Sequence, residues 1–119
     1  MSASQRRKGA QFERDICNDL KYAGYDAKRN LEQYQKSTGR DITVDAPLCI
    51  QTKCGKRPSW IRALMEALAS AEDTEYAIAI THDDYGLTVA HIPWTDFLEM
   101  LALPDVRHAL RRPRLDPPI

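Results

Sequence analysis

The sequence has few of the features that mark secreted, membrane or zinc-finger proteins. It contains three cysteines, which cannot all pair within one chain, and their spacing matches no zinc motif, so we expect reduced thiols. No apolar run approaches the roughly 20 residues of a membrane-spanning helix, which excludes a membrane protein. The basic start at residues 5–8 lacks the apolar segment of a secretory signal. We therefore expect a cytoplasmic protein.

The chain does have a globular composition, with charge distributed unevenly along it. Its 119 residues are 43% hydrophobic and 29% charged, as is typical of one folded domain. The formal net charge is zero, yet residues 1–62 carry 13 Lys/Arg against 7 Asp/Glu, and the remainder carries 4 against 10. A basic half of this kind is consistent with binding of a polyanion. It is equally consistent with a solvated charge pattern that has no binding partner.

Apolar periodicity and turn residues predict a small α/β domain. A helix over residues 9–23 ends before Gly24, and residues 31–38 are predicted to form a loop. The other predicted elements are strands at 25–30, 40–44 and 48–53, a helix at 58–72, strands at 76–81 and 87–92, and a helix at 94–103. We assign residues 1–104 to the domain and residues 105–119 to a C-terminal tail rich in Arg and Pro.

The second predicted helix has an apolar stripe that we expect to be buried. The stripe consists of Trp60, Ile61, Leu64, Ala67, Leu68 and Ala71, and the outward residues are Arg62, Glu66 and Ser70. Trp60, and the Trp94, Phe97 and Leu101 side chains of the last helix, fill the monomer core or else form a surface for a second chain. The sequence leaves both alternatives open.

Four polar residues stand at positions where structure alone does not require them. Glu13 lies within the apolar face of the first helix, so its carboxylate needs a Lys or Arg partner or a metal ion. Asp41 begins an interior strand, a position suited to a hard cation, although an Asp after a glycine is also ordinary turn chemistry. Gln51 and Lys53 share one face of the next strand by alternation. Together they predict a cluster that could bind a cation and a phosphate.

These residues resemble the pattern of the PD-(D/E)XK nuclease superfamily: a helical Glu13, then Asp41, then Gln51-x-Lys53. The start KGAQFER at residues 8–14, with Gly24-Tyr25 and Arg29 after it, is similar to the archaeal-type Holliday junction resolvases. The resemblance covers residues 6–54. It implies a restriction-endonuclease-like α-β-β-β-α-β core, in which helices flank a central mixed sheet.

The resemblance also implies the site residues. Glu13, Asp41 and Gln51 would bind Mg²⁺, for which Mn²⁺ could substitute, with the Thr52 carbonyl as a further ligand, and Lys53 would be the catalytic lysine. Arg29 would engage the phosphate near the cut. The implied DNA contacts are Arg6, Arg7, Lys8, Arg14, Arg29, Ser37, Thr38, Arg40, Lys56 and Arg57.

Gln51 departs from the family, which usually has Glu at this position. The amide keeps an oxygen ligand but removes one negative charge, so we expect weaker metal binding. The expected activity is metal-dependent, structure-selective resolution of four-way DNA junctions by a homodimer, through paired symmetric hydrolysis of phosphodiester bonds. The alternatives are another PD-(D/E)XK endonuclease acting on duplex or restriction-like sites, a catalytically weak DNA-binding module, and a small interaction protein.

Overall fold

The computed structural model describes residues 2–31 and 40–111. Over these ranges the chain forms a single α/β domain. Its elements in chain order are α1 (Ala3–Tyr22), β1 (Ala27–Arg29), β2 (Ile42–Val44), β3 (Leu48–Gly55), α2 (Trp60–Ser70), β4 (Tyr76–Asp83), β5 (Thr88–His91), α3 (Trp94–Ala102) and α4 (Pro104–Leu110). The predicted order is confirmed as far as α3. The predicted loop lies, apart from Leu31, outside the described residues.

The five strands form one mixed sheet in the order β1-β2-β3-β4-β5. Each neighbouring pair is antiparallel except β3 and β4, which run parallel. Parallel neighbours need a crossover connection, and α2 supplies it. The β2–β3 hairpin and the β4–β5 hairpin, both predicted from their turn residues, are confirmed.

Helix α1 begins six residues earlier than predicted, at Ala3. Ser2 is its N-cap: the Ser2 hydroxyl accepts a hydrogen bond from the Gln5 N–H, and the Gln5 side chain accepts one from the Ser2 N–H. Arg6, Arg7 and Lys8 do not belong to the apolar repeat of the helix. The sequence pattern therefore did not predict that the helix begins before residue 9. The helix ends as predicted, before Gly24 at φ +101°.

The main core lies between α1 and the first three strands. Its buried members are Phe12, Ile16, Cys17, Ala27, Ile42 and Ile50. All three cysteines are free, and burial raises the pKa of each thiol. None of the helices in the described residues is both long and apolar enough to cross a membrane.

Helix α2 packs on β3 and β4 through a face that overlaps the predicted stripe only in part. Its buried residues are Ala63 and Ala67, whereas Trp60, Ile61 and Leu68 of the predicted stripe are exposed. Small alanine side chains let the helix backbone approach the sheet closely, so the large apolar residues are turned toward its rim. The prediction of a buried stripe was therefore wrong for Trp60, Ile61 and Leu68, and it is confirmed for Ala67, which is 0% exposed.

The C-terminal helices contribute no buried residue. Trp94 is 66% exposed and Phe97 is 40% exposed, so neither fills the monomer core, and Trp60 stacks on His91 with the ring centroids 5.3 Å apart. Helix α4 has Pro104 at its first position and continues into the predicted tail as far as Leu110. Residues 112–119 of that tail lie outside the described residues.

An ion pair joins the start of the β2 segment to the loop before β4. The Arg40 guanidinium donates to both carboxylate oxygens of Glu75, at 2.7 and 2.9 Å, and to the Ser70 carbonyl at 3.3 Å. Both side chains are largely buried, 23% and 15% exposed. The hydrogen bond from Arg40 is the main cause that lowers the pKa of the Glu75 carboxyl.

We predict that Arg40→Ala lowers the free energy of unfolding by about 2 kcal/mol, because it leaves a largely buried carboxylate without its partner. Urea unfolding measures this change. Arg62→Ala, at an exposed position of α2, is the control and should shift stability by less than about 0.5 kcal/mol. Equal stability of the Arg40→Ala variant and the wild type would contradict a structural role for this pair.

Candidate active site

The predicted polar residues come together in one open pocket of about 750 Å³. Glu13 of α1, Asp41 just before β2, and Gln51, Thr52 and Lys53 of β3 all line it. Further lining residues are Ala3, Gln5, Arg6, Arg7, Gly9, Ala10, Phe12, Cys54 and Glu66. The pocket is therefore lined by acidic groups and by the basic residues Arg6 and Arg7.

Asp41 is fixed by hydrogen bonds through both its main chain and its side chain. Its N–H donates to the Ile50 carbonyl at 2.9 Å, and its carbonyl accepts from the Asn30 N–H at 2.8 Å. Its Oδ2 accepts from the Thr52 N–H at 2.8 Å and from the Thr52 hydroxyl at 3.1 Å. The carboxylate is thus held at the junction of β1, β2 and β3, beside the pocket.

Glu13 has the basic partner that its position in the apolar face required. Its Oε2 accepts from Arg29 Nε at 2.8 Å, and the side chains of Glu13 and Arg29 are 8% and 18% exposed. The pair ties α1 to β1. A carboxylate held in this way can share its remaining lone pairs with a cation, since one oxygen accepts several bonds.

Gln51 and Lys53 lie on the same face of β3, as alternation predicted. Gln51 is 5% exposed, and among the described residues its side-chain amide has no hydrogen-bond partner. Lys53 lines the same pocket and, within residues 2–31 and 40–111, makes no ion pair. An unpaired buried amide and an unpaired ammonium beside carboxylates are suited to binding a ligand that carries both charge and oxygen atoms.

Glu66 of α2 is a pocket residue that the sequence reasoning missed. The helical wheel placed it outward because Trp60, Ile61 and Leu68 defined the apolar side. The two alanines could have indicated this position, because Glu66 is next to Ala67 and lies about one helical turn after Ala63. Small residues on a helix mark a face that can approach a sheet closely.

Burial and neighbouring charge raise the pKa of Asp41. The pKa is raised from 3.8 to about 6; burial is the largest cause, and the negative charges of Glu13 and Glu66 act in the same direction. The two hydrogen bonds from Thr52 oppose this rise. Part of the negative charge in the pocket is therefore unfavourable until a positive group binds.

The donor atoms fit a hard divalent cation. Asp41 and Glu13 offer carboxylate oxygens, and the unpartnered amide of Gln51 offers a third oxygen, which is the donor type that Mg²⁺ prefers. In the described part of the chain, no three His, Cys, Asp or Glu residues come together as a metal-binding group. Mg²⁺ sites in phosphate chemistry commonly use one or two carboxylates, waters and the substrate phosphate, which two carboxylates and an amide can satisfy.

The residues predicted to contact DNA are spread over more than one surface. Arg6 and Arg7 line the pocket, and Arg14, Lys56 and Arg57 are exposed. Lys8 forms an exposed ion pair with Asp84, whose closest atoms are 3.4 Å apart.

Two predicted contacts, Arg29 and Arg40, have carboxylate partners in the structure, as described above. Ser37 and Thr38 lie outside the described residues. Thr52 was predicted as a ligand through its carbonyl. In the structure its N–H and its hydroxyl donate to Asp41, and it pairs with Ile80 in the ladder between β3 and β4.

No protein-family model, curated protein or solved structure matches the chain.

The raised pKa of Asp41 predicts how stability depends on pH. As pH rises from 4 to 6 without metal, the unfolded state releases the Asp41 proton before the folded state does. This carboxyl therefore lowers the free energy of unfolding by up to about 3 kcal/mol near pH 8. Asp41→Asn should raise stability by about 1–3 kcal/mol at pH 8 and have little effect at pH 4, as measured by urea unfolding in EDTA.

A matched control separates this effect from loss of any surface charge. Asp73→Asn removes the same charge from an exposed loop and should change stability little at either pH. Destabilisation of Asp41→Asn at pH 8 would contradict the electrostatic account of the pocket.

Proposed function

We propose that this chain is a metal-dependent endodeoxyribonuclease that resolves four-way DNA junctions. The observation that carries the proposal is that Glu13, Asp41, Gln51 and Lys53, which come from three different segments of the chain, line one pocket together with Arg6 and Arg7. The resemblance to PD-(D/E)XK nucleases and to archaeal-type Holliday junction resolvases supports it, as does the order of strands and helices. Mg²⁺ is the proposed cofactor, and Mn²⁺ is a substitute.

Each pocket residue would have its own role in phosphodiester hydrolysis. Asp41, oriented by Thr52, and Glu13, oriented by Arg29, would hold the cation together with Gln51. A bound divalent cation supplies an activated water and neutralises charge that develops on the phosphate. The Lys53 ammonium would orient that water and donate to the phosphate oxygen. The water oxygen would form a bond to phosphorus while the P–O bond to the leaving oxygen breaks. The attacking water would lose a proton to solvent, and the leaving oxygen would take up a proton from solvent.

Recognition of the junction would depend on shape and backbone charge. Arg6 and Arg7 stand beside the acidic residues in the pocket, so they can neutralise phosphates that flank the one being cut. Contacts of this kind carry no sequence information and weaken as salt rises. We propose Arg14, Lys56 and Arg57, which are exposed, as further backbone contacts.

A second copy of the chain is the proposed partner that places two sites on one junction. Cutting two strands at matched positions needs two sites at a fixed separation, which a two-fold dimer provides. The exposed apolar side chains of α2 and α3 support such an interface. They are Trp60, Ile61, Met65, Leu68, Trp94, Phe97 and Leu98. Sedimentation equilibrium of the wild type tests this part of the proposal.

Incubation with a labelled synthetic four-way junction tests the activity, in Mg²⁺, Mn²⁺ or EDTA, with excess linear duplex as competitor. We expect paired symmetric nicks in either metal and none in EDTA. Asp41→Asn should abolish cleavage and preserve junction binding, because it removes a ligand charge and leaves the basic residues in place. Asp73→Asn is the charge-matched control and should cut like the wild type.

The other outcomes favour the alternatives. Equal cutting of duplex and junction would indicate a different PD-(D/E)XK endonuclease. Binding without cuts in either metal would favour a DNA-binding module, the alternative that Gln51 itself suggests. Persistent cleavage by Asp41→Asn would overturn the site assignment.

A separate substitution examines the departure at Gln51. Gln51→Glu restores the carboxylate usual in the family, so Mg²⁺-supported cleavage should stay equal or increase. Initial rates over a Mg²⁺ titration measure this effect. A complete loss of activity would mean that the neutral amide has a role of its own in catalysis.

A further inference from the structure

The buried side chain of Gln51 points to a ligand that the protein itself does not supply. It is 5% exposed and lines the pocket, and it has no side-chain hydrogen bond in the described residues. Buried amides are nearly always paired, so an unpaired one beside carboxylates indicates a bound cation or its waters. Because the amide is neutral, it contributes an oxygen atom but no charge to holding that cation.

The face of β3 that carries Gln51 is the face covered by α2. Ile50 belongs to the core beneath α1, so alternation directs Cys49, Gln51 and Lys53 to the opposite face. Ala63 and Ala67 of α2 are 0% exposed and bring the helix close to that face. Glu66 lies between these alanines in sequence and lines the same pocket as Gln51.

The carboxylate of Glu66 is not committed elsewhere in the described structure. Glu66 is exposed, as the helical wheel predicted, and it makes no ion pair and no hydrogen bond there. In contrast, Glu13 is paired with Arg29, and Asp41 accepts two bonds from Thr52. Its charge nevertheless acts on Asp41, whose pKa it helps to raise. Two independent features, an unpartnered buried amide and an uncommitted carboxylate, thus converge on one pocket.

We propose that Glu66 is the outer carboxylate of the cation site and supplies, from α2, the negative charge that Gln51 does not supply from β3. This inference rests on the proposed function. In the described residues no three acidic side chains gather as a metal-binding group, so Glu66 would act through a water of the cation. Mg²⁺ retains several waters in protein sites, and groups that hydrogen-bond to them orient the direct ligands.

The alternative to this proposal is that Glu66 is simply a solvated residue on the rim of α2. The two differ in what happens to metal affinity when the charge is removed without changing the shape of the side chain. The two alternatives also predict different metal affinities when a carboxylate is introduced at position 51 in the variant that lacks the charge of Glu66. Only if both positions share an electrostatic role can a carboxylate at one compensate for its loss at the other.

Calorimetric titration of Mn²⁺ into the DNA-free protein tests the inference with three variants. Glu66→Gln should weaken Mn²⁺ binding about 10- to 100-fold, the usual effect of removing an outer partner. The double variant Gln51→Glu with Glu66→Gln keeps the number of carboxylates constant and should return affinity to within about threefold of the wild type. Glu72→Gln, in the exposed turn after α2, is the control and should bind like the wild type.

Each outcome bears on the proposal. Wild-type affinity in Glu66→Gln would overturn it and leave the nuclease proposal intact, as would equal weakening in the single and double variants. If Glu66→Gln does not fold, as judged by circular dichroism, Glu66→Ala replaces it with the same expectations. Failure of the wild type both to bind Mn²⁺ and to cut a junction would overturn the proposed function together with this inference.

Discussion

Burial of the Asp41 carboxyl group, near the negative charges of Glu13 and Glu66, is the constraint on which the site depends. Asp41 lies in a largely desolvated position, with the charges of Glu13 and Glu66 acting on it. Its Oδ2 is held by the Thr52 N–H and hydroxyl, and Arg29 offsets the charge of Glu13. A protein that needed only stability would place a neutral side chain here. The arrangement is understandable if a positive group binds in the pocket.

The sheet places this charge where a ligand can reach it. Pairing of β1, β2 and β3 fixes the backbone of Asp41 from both sides, and the parallel β3–α2–β4 unit brings a second helix over the same strand. Helix α1 extends to Ala3, so its first turns carry Arg6 and Arg7 to the pocket. The acidic and basic groups that line the pocket thus come from elements distant in sequence.

Gln51 and the exposed apolar residues are the two features that depart from a self-contained folded domain. The amide of Gln51 is buried and has no hydrogen-bond partner within the described residues. The large apolar residues of α2 and α3 lie outside the monomer core because alanines occupy the buried face of α2.

The sequence by itself determined the order of elements as far as α3, both hairpins and the group Glu13, Asp41, Gln51 and Lys53. Local periodicity, turn residues and strand alternation encode these features directly. It did not show the first turn of α1, which depends on a capping box, or helix α4, which begins at a proline after an apolar run.

Only the tertiary structure decided which side of α2 meets the sheet. The apolar pattern favoured a stripe that includes both Trp60 and Ala67, whereas close packing on β3 and β4 favoured the side where Ala67 lies beside Ala63. That choice brought Glu66 into the pocket, and it depends on the fit between two surfaces rather than on the apolar character of one. Likewise, the partners of Glu13 and Arg40 are separated from them by 16 and 35 residues, and only the folded chain brings them into contact.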